Sequence, residues 1–69
     1  MLGKAIKEYI DDHGLKQTKV AENAGMKVQT LNDILNCRRK VEATEYFAIC
    51  RALGVPVSYF EDLLQNESA

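Results

Sequence analysis

Gln17-Thr18-Lys19-Val20-Ala21-Glu22-Asn23-Ala24-Gly25-Met26-Lys27-Val28-Gln29-Thr30-Leu31-Asn32-Asp33-Ile34-Leu35-Asn36 is the stretch around which this chain is organised. Two short runs of helical periodicity meet at Gly25, so it reads as two helices joined by a tight turn. The first, about Gln17 to Ala24, buries Val20, Ala21 and Ala24, and its two alanines permit another helix to come close. The second, about Val28 to Asn36, gathers Leu31, Ile34 and Leu35 on one face. Gln29, Asn32, Asp33 and Asn36 recur at i, i+3, i+4 and i+7 on the other. A merely solvated helix face favours Lys, Glu and Ala, which are good helix formers. Short amide and carboxylate side chains weaken the helix and suit the reading of base edges.

Upstream, Leu2, Ile6, Tyr9, Ile10 and His13 recur at helical spacing against Lys4, Lys7, Glu8, Asp11 and Asp12, which predicts an amphipathic first helix. Gly14 suits the left-handed residue that closes it. His13 falls in its last turn, where positive charge is favourable and no nucleophile or carboxylate is spaced to make it catalytic. Leu15 is expected to tuck into the core. Downstream, Cys37 to Ala43 is a basic loop. A fourth helix runs from about Thr44 to Leu53, with Tyr46, Phe47, Ile49, Cys50 and Leu53 as its buried set, and Gly54 stops it. Pro56 separates it from a short fifth helix, whose start Ser58-Tyr59-Phe60-Glu61 has the spacing of a capping box. Tyr59, Phe60, Leu63 and Leu64 are its apolar residues. Residues 1–64 form one domain on this reading, and 65–69 a frayed polar tail.

Sixty-nine residues leave little room for a deep enzyme pocket, which favours a binding module. No hairpin turn signal accompanies the helical periodicity, so the expected class is all-α. Cys37, Cys50 and the lone His13 fall short of a zinc set or a disulfide framework, so free thiols, no metal and no cofactor are expected. No nucleophile–base pair or phosphate loop argues for an enzyme. The start lacks a signal-peptide run and nowhere do eighteen apolar residues run together, which predicts a cytoplasmic protein with no membrane association.

The net charge of −1 hides a strong asymmetry. Lys16, Lys19, Lys27, Arg38, Arg39 and Lys40 face only Glu22 and Asp33 within residues 14–41, a net +4. Residues 42–69 hold Arg51 against Glu42, Glu45, Glu61, Asp62 and Glu67, a net −4. The positive end coincides with the central stretch, as a nucleic-acid binder requires.

In order and spacing, several motifs resemble the phage Cro and lambda-repressor-like helix-turn-helix family. Gly14-Leu15-x-Gln17 opens the second helix, Val20-Ala21-Glu22 follows, and Ala24-Gly25 makes the turn. Leu31 and Ile34 then sit on the third helix, and Ala52-Leu53-Gly54-Val55 ends the fourth. The resemblance covers roughly residues 2–64 and implies a compact five-helix domain whose helices 2 and 3 form the helix-turn-helix. It further implies that helix 3 lies in the major groove while helix 2 crosses the phosphate backbone. The matching base-facing positions are Val28, Gln29 and Asp33, with Asn32 alongside, and Gln17 matches a phosphate contact. Gln29 then suits adenine, Asp33 the amino group of cytosine, and Val28 a thymine methyl. Lys16, Lys19, Lys27, Arg38, Arg39 and Lys40 complete the expected backbone contacts.

Three departures from the family pattern stand out. Lys16 and Lys27 occupy N-cap positions where many relatives have Ser or Thr, at a cost on the order of 1 kcal/mol each. A phosphate at either helix start reverses the electrostatic part of that sign. Ile10 and Leu35 replace the frequent Arg–Glu pair and are expected to pack together. Cys37 stands where relatives often have Gly.

The expected function is thus a sequence-specific double-stranded DNA-binding regulator, a repressor acting as a homodimer, with Tyr59, Phe60, Leu63 and Leu64 either forming the dimer contact or closing the monomer core. The alternative is an antitoxin-like or partner-binding module with weak DNA binding, its protein partner held by the acidic 42–69 segment.

Overall fold

Helix ends in this chain are set by residues that accept a left-handed backbone, and the computed structural model, which describes residues 2–61, shows where. Helix α1 spans Leu2–Asp12, α2 Gln17–Ala24, α3 Val28–Leu35 and α4 Ala43–Leu53. A fifth helix, α5, begins at Ser58 and is described through residue 61. At Gly25, φ is 71°, and the Gly25 and Met26 N–H groups donate to the Glu22 and Ala21 carbonyls at 3.1 and 3.0 Å. This paired closure satisfies two of the carbonyls that α2 leaves open. It also reverses the chain within three residues, so that α3 starts at once.

The core follows the predicted stripes. Ile6 and Ile10 of α1, Val20 and Ala21 of α2, Leu31, Ile34 and Leu35 of α3, and Ile49 and Cys50 of α4 form one buried cluster. Ile10 and Leu35, expected to meet, are both members of it. Helix α2 packs on α3 and α4, and α1 packs on α3. Gly3 permits the last of these, because a β-carbon there would fall inside the radius of the Ile34 carbonyl oxygen.

Four expectations are corrected. Phe47 is 54% exposed rather than buried. The inward stripe of α4 is Tyr46, Ile49 and Cys50, and Phe47 lies one residue, about 100°, around the helix from Tyr46. Leu15 is 41% exposed, and its part in the turn is made by its backbone, which closes α1 by donating its N–H to the Ile10 carbonyl at 2.9 Å. His13 lies just beyond α1 rather than in its last turn, exposed and stacked on the Tyr9 ring at 3.9 Å.

Phe60 is the fourth. Its place was expected at a dimer surface or in the monomer core, and its relative exposure of 0% excludes the first and puts it in the core. Its ring meets Tyr9, Tyr46 and Tyr59 edge-on at centroid distances of 5.9, 6.4 and 5.0 Å. Burying such a ring contributes about 1.5–3 kcal/mol, so Phe60 anchors α5 to α1 and α4. Tyr59 beside it stays exposed, and Leu63 and Leu64 lie outside the described residues.

Candidate nucleic-acid interface

Because Leu31, Ile34 and Leu35 anchor α3 from one side, helical geometry turns Gln29, Asn32 and Asp33 away from the core. Val28 and Gln29 are exposed in the first turn, while Asn32 and Asp33 are half-buried one turn on. Lys27 precedes them as the N-cap, with extended backbone and no capping hydrogen bond from its side chain. Lys16 holds the same place before α2, equally uncapped. The first amides of both helices therefore lack a side-chain acceptor at the cap. Their partial positive charge lies beside the lysines themselves.

After α3 the basic loop leaves through Cys37, whose φ of 59° is left-handed. Cys37 and Arg38 donate their N–H groups to the Ile34 and Asp33 carbonyls at 3.1 and 2.8 Å, the closure Gly25 makes for α2. The loop geometry that relatives often give to Gly is thus kept by a cysteine. It swings Arg38 back along α3.

There Arg38 joins a chain of side chains. Its Nη2 donates to Asn32 Oδ1 at 3.0 Å, and its Nε lies 3.5 Å from Asp33 Oδ1. The same Asp33 oxygen accepts from Gln29 Nε2 at 3.1 Å. Asn32 in turn donates through Nδ2 to Gln17 Oε1 at 3.5 Å, which links α3 to the first residue of α2. Asn36 folds away, donating from Nδ2 to the Asn32 backbone carbonyl at 2.8 Å. Arg39 is held elsewhere, by Glu45 of α4.

The expected residues thus fall into three groups. Val28, Gln29, Asn32, Asp33, Gln17 and Arg38 come together on or beside α3. Lys16, Lys19, Lys27 and Lys40 are exposed cations on the elements around it. Arg39 is tied to the α4 start. What the sequence reading missed is Arg38 as a partner of Asn32 and Asp33. The only local signal is an arginine six and five residues after them, just past a helix end.

Cys37 is exposed and Cys50 buried. Among the described residues no cluster of His, Cys, Asp or Glu is placed to hold a metal, and no helix is long and apolar enough to cross a membrane. Compared with known proteins, residues 6–60 match the family model described as Helix-turn-helix. No curated protein matches the chain.

Proposed function

Because this chain belongs to the Cro/lambda-repressor-like helix-turn-helix family of DNA-binding transcription regulators, we propose that it is a transcriptional repressor that binds double-stranded DNA sequence-specifically. The observation that carries this reading is the outward face of α3. Val28, Gln29, Asn32 and Asp33 take no part in the buried core, yet they sit between two uncapped, lysine-led helix starts and a basic loop. In the major groove Val28 and Gln29 meet base edges from the first turn of α3, with Asn32 and Asp33 behind them. Lys16, Gln17, Lys19, Lys27, Arg38, Arg39 and Lys40 follow the phosphates. The protein acts as a homodimer on half-sites about 34 Å apart, with exposed Tyr59 at the subunit contact.

Selection of bound sites from random duplex DNA tests this reading directly. A preferred, roughly two-fold symmetric sequence, bound more weakly as salt rises, is the expected result. Phe47 favours a second reading, because a large exposed ring within the sequence of the acidic 42–69 segment suits a protein partner. Weak DNA binding without sequence preference, alongside a stable complex with another protein, would decide for that partner-binding, antitoxin-like role.

A further inference from the structure

The polar face of α3 contains side chains that face DNA and side chains already engaged with one another. We infer that Asp33 and Arg38 are positioning residues that set the amide orientations of Gln29, Asn32 and Gln17 before DNA arrives, leaving Gln29 as the reader of the base edge. This rests on the DNA-reading assignment above and refines it.

The argument is one of donors and acceptors. A carboxylate at neutral pH only accepts, and a guanidinium only donates. With Asp33 Oδ1 at 3.1 Å, Gln29 must present its nitrogen, since a flipped amide would oppose two acceptors with no proton between them. Among the described residues its Oε1 and second Nε2 hydrogen have no partner. That adjacent acceptor and donor is the pattern that pairs bidentately with adenine N6 and N7.

Arg38 imposes the same logic on the other side. Its donation at 3.0 Å requires Asn32 to present Oδ1, which turns Nδ2 towards Gln17. Gln17 then accepts through Oε1 and keeps its own amide nitrogen outward. That end can only donate, which suits a phosphate oxygen. Asn32 has its oxygen occupied, so it no longer holds a free donor–acceptor pair for a base. The Asp33 charge, at odds with an approach to phosphates, is offset by Arg38 at 3.5 Å. One ion pair thus orients three amides.

The test combines DNA selectivity with a readout that needs no DNA. Asp33→Ala removes a part-exposed side chain and introduces a better helix former, so folding is retained, which circular dichroism checks. In quantitative binding to the selected duplex and its single-base variants, Asp33→Ala is expected to lose about tenfold of discrimination. The loss falls at the same base pair as in Gln29→Ala, and the double variant loses no more than either single one. If Asp33→Ala instead relaxes a different base pair and its effect adds to that of Gln29→Ala, Asp33 reads its own base and the inference fails. In nitrogen-15 NMR of the free protein, the Gln29 side-chain amide is expected to be shifted from the solvated position and to return to it in Asp33→Ala. A solvated position already in the unsubstituted protein overturns the inference even if DNA binding stands. Failure of the unsubstituted protein to select any duplex defeats the DNA-reading assignment itself.

Discussion

Arg39 donates from Nη2 to Glu45 Oε2 at 2.8 Å, while the other oxygen of that carboxylate accepts the Glu42 N–H at 3.1 Å. One glutamate thus caps the start of α4 and restrains an arginine proposed to follow the phosphates. The E-x-x-E spacing marks the cap, but the arginine three residues before Glu42 becomes a partner only once the loop has turned.

Arg39→Ala is expected to weaken binding to all duplexes by about the same factor and to reduce the salt slope by about 1. Glu45→Gln keeps an oxygen for the Glu42 amide but removes the charge that competes for Arg39. It should raise affinity a few-fold for every sequence without changing their ranking, roughly the reach of an exposed ion pair. Titrations at several salt concentrations, on selected and scrambled duplexes, check both. A changed ranking in either variant would place Arg39 on a base.

Cys37 and Gly25 share the left-handed backbone, at φ of 59° and 71°. For a residue with a side chain that conformation costs about 1–2 kcal/mol. Glycine loses about 0.5–1 kcal/mol more chain entropy on folding. Cys37→Gly should therefore stabilise the domain, by about 0.5–1 kcal/mol, seen as a higher urea midpoint at unchanged slope. A lower midpoint would mean that the Cys37 side chain contributes more than it strains, through the groove it lines with Leu2, Ile34 and Val41.

What could be read from the sequence followed from local rules. Gly25 with Ala21 and Ala24 marked the turn, and the stripe Leu31, Ile34, Leu35 marked the inward face of α3, because both are consequences of helical period and backbone freedom. Phe47 and Leu15 were misplaced because hydrophobicity says that a side chain prefers burial, whereas position on the helix or in the turn decides whether it obtains it. Gly3 carried a signal that went unused, a glycine in the first turn of a helix whose reason is the close approach of the Ile34 carbonyl. In the Gln17–Asn32–Arg38–Asp33–Gln29 chain the i, i+4 spacing of Gln29 and Asp33 was legible, but the Arg38 bonds depend on where Cys37 turns the loop and the Gln17–Asn32 bond on how α2 meets α3.

Lys27 sets stability against function. Its extended backbone is that of an N-cap, yet its side chain makes no cap bond. Lys27→Ser should stabilise the free protein by about 1 kcal/mol. The same change removes a cation from the start of α3 and should lower affinity for all duplexes with a shallower salt dependence. Thermal unfolding and DNA titration on one preparation test the opposition. Unchanged affinity and salt slope would show that Lys27 is only a solvated side chain, and a lower unfolding temperature that it contributes to the fold.

Tyr46 makes a pH-dependent prediction about the core. Its hydroxyl donates to the Val57 carbonyl and so ties α4 to the segment leading into α5. Burial pushes its pKa from 10.0 up to about 12, with its neighbour Cys50 adding to the shift. The folded state thus holds a proton that the unfolded chain releases above pH 10. The associated stability is fully present below pH 10 and is lost as pH rises towards 12, on the order of 2–3 kcal/mol in total. The Cys50 thiol, also raised by burial, acts with the same sign. Urea midpoints measured from pH 8 upward should therefore fall steeply through that window. Tyr46→Phe should be less stable at pH 8, because the Val57 carbonyl loses its donor, and its midpoint should fall less on the alkaline side. If both proteins lose stability in parallel above pH 10, the alkaline transition belongs to other groups.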